Sequence, residues 1–214
     1  MLVSTQHTQH LLRNHALVHI IQVMKKLSAY LFIILFSFSA PSFAEDISEY
    51  QIEGISIGDS LLDYFSEEKI NNRKSYYYST KEFYLFGSSS PAYQIYDYLQ
   101  FTLKDGDKKY IIYGISGKLL YENNFKDCLK KKDEIVKEVT DLLGNNSKIQ
   151  DRGTVNHTYD KSGKSKANTV DFFLNSGGGI SVYCTDWSEE MGFYDNLKVF
   201  ASSKELDDYF EKVK

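Results

Sequence analysis

A short apolar segment near the N-terminus does most to limit what this chain folds into. Lys25 and Lys26 directly follow Met24, an apolar run extends over residues 27–38, and Ser42-Phe43-Ala44 supplies small residues ahead of an acidic pair. Basic, apolar and small residues in this order are typical of a secretory signal peptide, here over residues 24–44. We therefore expect cleavage after Ala44 and a single folded domain built from residues 45–214.

Two other interpretations concern the same region. An uncleaved inner-membrane anchor through residues 27–38 is the alternative to cleavage, but this run is shorter than the roughly 20 residues that span a bilayer and stops before Pro41. Residues 1–23 contain four of the five histidines and no acidic residue. We interpret them as an upstream extension from a start codon assigned too early, with an amphipathic helix as the alternative.

The expected mature chain is acidic. Loss of Arg13, Lys25 and Lys26 leaves 22 basic and 29 acidic residues in 170, a net charge near −7. Such a balance disfavours nucleic acid and anionic lipid as partners, and no basic patch opposes it. We expect a protein of the periplasm or a secreted protein, with no stable membrane insertion after cleavage.

Cys128 and Cys184 are the only cysteines of the chain. An even number of cysteines in an exported protein predicts a disulfide bond. Closing a loop of about 57 residues stabilises a fold by roughly 4 kcal/mol in the chain-entropy description. Two buried free thiols are the alternative, which an oxidising compartment disfavours.

Hydrophobic periodicity predicts an α+β fold. Apolar residues recur at helical spacing in three segments, and strand patterns with a hairpin signal at Asp105-Gly106 fill the rest. We expect a two-layer arrangement in which helices pack on one face of an antiparallel sheet. The order of helix and strands occurs twice, so a degenerate tandem repeat over 52–121 and 125–201 is a further expectation. The predicted helices cover about 61–70, 129–143 and 206–213, and the strands 81–86, 95–104, 109–116, 119–121, 154–159, 169–175, 180–186 and 196–201.

Four stretches carry a resemblance to known proteins: 52–61, 109–114, 127–128 and 184–188. Together they resemble a family of uncharacterised exported proteins from marine alphaproteobacteria. The resemblance covers most of the mature chain and implies no activity. The Gly-Ile-Ser-Ile-Gly start at 54–58 more distantly resembles β-lactamase inhibitor proteins and outer-membrane assembly lipoproteins. That second resemblance implies a helix-plus-sheet module acting as an inhibitor or assembly factor through protein contacts.

Trp187 is the only tryptophan, and it follows a strand and precedes acidic residues. With Asp186, Glu189 and Glu190 it forms a candidate aromatic platform for a cationic or sugar-like ligand. The alternative interpretation is structural, with Trp187 capping the core beside the disulfide.

His157 is the only histidine of the mature chain, within a polar segment predicted as strand. A catalytic role requires a nucleophile and an orienting acid, and no Gly-x-Ser-x-Gly motif occurs. The alternative is an exposed histidine on a strand. No residue spacing predicts a metal site or a cofactor.

We therefore expect a non-catalytic binding or protein-interaction module, with an unidentified protein or small molecule of the cell envelope as its partner. The alternative is a small periplasmic hydrolase that uses carboxylates near Trp187, or His157. A deep cleft with convergent titratable groups would favour the hydrolase, and an exposed aromatic surface would favour the module.

The signal-peptide prediction has a direct test. Because the small-residue motif ends at Ala44, the exported protein should begin at Glu45, as determined by mass spectrometry of the intact protein and of its N-terminal peptide. An exported form that retains residues 27–38 would instead support the uncleaved anchor.

Overall fold

The structure, a computed structural model, describes residues 46–76, 80–122 and 124–213. The expected signal peptide at 24–44 and the segment 1–23 lie outside the described residues. The strands and α-helices, in chain order, are β1 (Gln51–Ile52), β2 (Ile55–Ser56), α1 (Glu67–Asn72), β3 (Phe83–Ser88), β4 (Tyr98–Lys104), β5 (Ile112–Tyr121), α2 (Phe125–Leu143), β6 (Ser147–Asn156), β7 (Lys166–Leu174), β8 (Gly179–Asp186), β9 (Asp195–Ser202) and α3 (Lys204–Val213).

Seven strands form one antiparallel sheet in the order β3-β4-β5-β9-β8-β7-β6. The strands β3 to β5 make one meander and β6 to β9 make another. The two meanders join where β5 pairs with β9, from Gly114 opposite Ser202 to Tyr121 opposite Asp195. The α+β class and the antiparallel sheet are confirmed.

The largest differences between the observed and the predicted element boundaries are in three places. The strand β5 is continuous through Gly117, where separate strands at 109–116 and 119–121 were expected. The strand β6 begins at Ser147 and ends at Asn156, so His157 lies in a loop rather than in a strand. This strand is at the sheet edge and mostly exposed, so its sequence lacks the apolar alternation that would reveal it. The first predicted helix is a 3₁₀ turn followed by the short α1.

The helix α2 packs on the first face of the sheet. Its N-cap residue Asn124 accepts a hydrogen bond from the Asp127 amide, and the chain leaves the helix at Gly144, whose φ is +53°. Its buried stripe belongs to the main core, together with alternate residues of β8 and β9. These core residues are Cys128, Ile135, Val139 and Leu143 on α2, and Ile180, Val182, Cys184, Leu197, Val199 and Ala201 on the strands.

A disulfide between Cys128 and Cys184 links the first turn of α2 to β8, with the two Cα atoms 6.0 Å apart. Both cysteines are completely buried. The predicted cysteine pair is therefore present, and it anchors the helix to the half of the sheet that follows it in sequence.

The helix α3 packs on the opposite face, which we call the second face. Leu206 and Tyr209 form a separate buried cluster with Phe83, and Phe200 packs against it. A Cβ atom on Gly114 of β5 would lie 2.6 Å from a methyl carbon of Leu206, so the Leu206 side chain occupies the space that glycine leaves open. The structure thus adds a helix on the second face, while α2 covers the first.

None of the helices in the described ranges combines the length and the apolar character needed to cross a bilayer.

Replacing both cysteines by alanine should lower the free energy of unfolding by about 2–5 kcal/mol, because the unfolded chain regains the freedom of a long loop. Denaturant unfolding of oxidised wild type, reduced wild type and the double variant would measure this change. Reduced wild type and the variant should then unfold at similar denaturant concentrations. Equal stability of the oxidised and reduced wild type would contradict a stabilising bond.

Candidate functional site

Two loops meet at one end of the sheet. The first connects β6 to β7 over residues 157–165, and the second connects β8 to β9 over residues 187–194. Asn156 at the end of β6 lies opposite Lys166, and Lys166 lies opposite Asp186 at the end of β8. Both loops therefore begin at the same end of the strands. Residues distant in sequence therefore become neighbours here.

The two loops contribute four aromatic rings, which we call the aromatic cluster: His157, Tyr159, Trp187 and Phe193. The Trp187 ring lies 4.3 Å from His157, 5.0 Å from Phe193 and 6.4 Å from Tyr159, measured between ring centroids. Such tilted and edge-to-face contacts each contribute about 0.5–1.5 kcal/mol beyond area burial. The cluster therefore holds the two loops together.

Much of the cluster remains exposed. Tyr159 is 59 % exposed and Phe193 is 52 % exposed, whereas Trp187 and His157 are half-buried beneath them. Contiguous exposed apolar rings, unlike isolated ones, mark interaction surfaces, so this patch is the leading candidate for a binding surface.

Asp160 fixes the loop that carries His157 and Tyr159. Its buried carboxylate accepts hydrogen bonds from the amides of Ser162 and Ser165, at 2.8 and 2.9 Å, and from the Ser165 hydroxyl at 2.7 Å. The Ser188 hydroxyl donates a further bond at 3.1 Å. Hydrogen bonds from Ser165 and then Ser162 hold the pKa of the Asp160 carboxyl far below its ordinary value.

Ser165 completes the connection between the loops. The Ser188 amide donates a hydrogen bond to the Ser165 hydroxyl at 2.9 Å, directly beside Trp187 in sequence. The amide of Trp187 itself donates a hydrogen bond to the carboxylate of Asp195, the first residue of β9, at 2.7 Å. Hydrogen bonds at Trp187 and Ser188 thus fix the backbone beside the Trp187 ring.

The hydrogen bond at Nδ1 of His157 runs in the opposite direction to that in a catalytic triad. Its Nδ1 atom accepts a hydrogen bond from the Tyr159 amide at 3.2 Å, whereas the histidine of a triad donates from Nδ1 to a carboxylate. Burial lowers the pKa of His157, and the negative charge of Asp160 opposes this effect. The ring is therefore neutral at pH 7 and acts as part of the aromatic cluster.

The three predicted acidic residues have separate surroundings. Glu190 forms an ion pair with Lys164, and Glu189 is exposed in the 3₁₀ turn that follows Ser188. Burial raises the pKa of Asp186, with a further contribution from Asp195. No group of three or more histidine, cysteine or acidic side chains in the described part of the chain is arranged to hold a metal ion.

Of the predicted site residues, Trp187 contacts the His157 ring. Glu190 is connected to the first loop through its ion pair with Lys164. The sequence did not identify Tyr159 and Phe193, which contact Trp187 from 28 residues before it and six residues after it. Asp160 was also missed, although an aspartate two residues before a serine is a common turn signal.

An open depression lies elsewhere on the described structure. It has a volume of about 250 Å³ and is lined by residues in and around α1, none of them in the aromatic cluster. The outer rings of the cluster, Tyr159 and Phe193, are instead more than half exposed.

Comparison with known proteins finds no matching family model, no significantly similar characterised protein and no significantly similar solved structure.

Replacing Asp160 with asparagine should loosen both loops, because an amide replaces a carboxylate that accepts four hydrogen bonds. We expect a lower Tm and a red-shifted emission of Trp187, measured by thermal unfolding and fluorescence. Asp151→Asn is the matched control, since Asp151 is exposed and accepts one local hydrogen bond.

The same variant should show a defined pH dependence. The folded pKa of Asp160 is depressed, so its contribution to stability is complete above the unfolded pKa of about 3.9 and is lost as the pH falls below it. The Tm difference between wild type and Asp160→Asn should therefore be largest above pH 5 and shrink below pH 4. A difference that is constant from pH 3 to 7 would contradict the assigned role.

Proposed function

We propose that this protein is an exported, non-catalytic binding module and that the aromatic cluster is its ligand-binding surface. The observation that carries the proposal is the pair of half-exposed rings of Tyr159 and Phe193, supported from below by Trp187. Tryptophan and tyrosine dominate the energetically important positions of binding surfaces, because each buries a large area with few rotatable bonds.

Pre-ordering of the cluster supports a role in recognition. Asp160 and Ser165 tie the two loops together, and Asp195 holds the backbone of Trp187. A ligand therefore meets rings whose positions are already fixed, and binding loses less conformational entropy than it would on mobile loops.

The charges around the cluster favour an uncharged ligand over a cation. Glu190 is paired with Lys164, and Asp160 is saturated by serine and amide donors. Glu189, in the loop between β8 and β9, forms no ion pair with any residue that the structure describes. A sugar unit fits better, because its apolar ring face stacks on aromatic rings while its hydroxyl groups reach the polar rim.

The hydrolase alternative has less support. The Nδ1 atom of His157 is occupied by a backbone amide, and its ring stacks on Trp187. Burial raises the pKa of Asp186, but Glu190, another of the carboxylates near Trp187, forms an ion pair with Lys164. Release of reducing ends from the sugar is the measurement that would detect hydrolysis.

We infer that the protein works in the cell envelope or outside the cell. Its only two cysteines form a buried disulfide bond, which is rare in the reducing cytosol. Sugar polymers of the envelope are accessible to a protein in that location, whereas they are absent from the cytosol as assembled polymers.

Trp187 is the only tryptophan of the chain, so its fluorescence reports directly on the cluster. Titration with cellotriose, maltotriose and tri-N-acetylchitotriose should give a saturable change in emission with at least one of them. The double variant Tyr159→Ser/Phe193→Ser should bind that sugar at least about tenfold more weakly, since it removes both exposed rings.

Tyr194→Ser is the matched control, because Tyr194 is 66 % exposed but makes no ring contact with the cluster among the described residues. It should bind as the wild type does. Saturable binding of tetramethylammonium in place of the sugars would overturn the ligand class. Release of reducing ends that is lost in His157→Gln would overturn the non-catalytic assignment and favour the hydrolase.

A further inference from the structure

The second face of the sheet carries a lysine pair at its centre. Lys118 of β5 lies directly opposite Lys198 of β9, where the two meanders join. Tyr98 flanks Lys118 on β4, and Tyr183 flanks Lys198 on β8. The register therefore produces a row of tyrosine, lysine, lysine and tyrosine across four adjacent strands.

Two like charges opposite each other in a sheet are destabilising. Neither lysine forms an ion pair with any acidic residue that the structure describes. The Lys198 ammonium instead donates a hydrogen bond of 3.4 Å to Gln100, and it lies 6.0 Å from the Tyr183 ring centroid and 5.7 Å from that of Phe200. Neutral groups thus replace the counter-charge that such a pair normally has.

Three acidic residues near this face have partners of their own. Asp171, the nearest acid in the strand register on this face, lies on β7 and binds Arg152 and Ser181. On the neighbouring helix α3, Glu205 pairs with Lys104, and Asp208 pairs with Lys204.

The lysine pair is also placed where a ligand can reach it. Lys118 and Lys198 are both partly exposed, and Leu120, two residues along β5 on the same face, is 47 % exposed. Burial lowers the pKa of Lys198 to about 8, and burial followed by the charge of Lys198 lowers that of Lys118. No acidic side chain is among the causes of either shift.

We propose that Lys118 and Lys198 form a binding site for a doubly charged oxyanion, a sulfate or phosphate group that is free or carried by a larger ligand. Ammonium groups on opposed residues of adjacent strands start from Cβ atoms about 5 Å apart and converge on one anion. Gln100, which contacts the Lys198 ammonium, carries a neutral amide donor beside them. This site goes beyond the proposed function, since it uses none of the residues of the aromatic cluster.

Isothermal titration calorimetry with inorganic sulfate and with glucose 6-phosphate tests the site on the mature protein at low ionic strength. At least one probe should bind saturably, and Lys118→Gln and Lys198→Gln should each weaken binding at least about tenfold. Equal affinity for the two probes identifies a site for the free anion, and tighter binding of the ester identifies an anion carried by a larger ligand. Lys126→Gln, which removes an exposed lysine of α2, should leave binding unchanged.

Thermal unfolding gives an independent readout. Without anion, Lys198→Gln should raise the Tm, because the like-charge repulsion with Lys118 is removed, whereas a merely structural lysine would lower the Tm when replaced. Added sulfate should raise the Tm of the wild type more than that of Lys118→Gln or Lys198→Gln. The proposal fails if neither probe binds and sulfate raises the Tm of all variants equally, which is a general salt effect.

Discussion

The pairing of β5 with β9 is the contact on which the rest of the structure depends. Each meander is local in sequence, but neither makes the seven-stranded sheet until Gly114–Tyr121 aligns with Asp195–Ser202. This pairing joins segments about 80 residues apart, and its loop-closure entropy must be offset by burial. The helix α2, between the two meanders in sequence, supplies that burial by packing across β5, β8 and β9. The Cys128–Cys184 bond then fixes it to the second meander.

The same sheet separates two surfaces with different chemistry. The loops at one end of β6 to β9 present exposed aromatic rings, which the hydrogen bonds of Asp160 hold in place. The centre of the second face presents two lysines that the β5–β9 register sets side by side. An apolar surface and an unpaired positive pair are both unfavourable in an isolated protein. These two features are the physical basis of the proposed binding role.

Prediction from the sequence worked best where a pattern repeats locally. The stripe from Leu129 to Leu143 identified α2, and alternation identified β7, β8 and β9 to within a few residues. It worked least well for β6, an exposed edge strand with no apolar face, and this error placed His157 in a strand. Only part of the aromatic cluster was predicted. Trp187 is recognisable because the chain has one tryptophan, whereas nothing in the sequence distinguishes Tyr159 and Phe193 from the many other tyrosines and phenylalanines.

By itself, the sequence determined the α+β class, the antiparallel sheet and the pairing of its two cysteines, because periodicity and cysteine count are properties of the chain. Only the tertiary structure decided that α3 covers the second face and that Trp187 meets His157 and Tyr159. It alone placed Lys118 against Lys198. Each of these contacts depends on strand register between distant segments, and register is set by how the whole core packs, which no local pattern encodes.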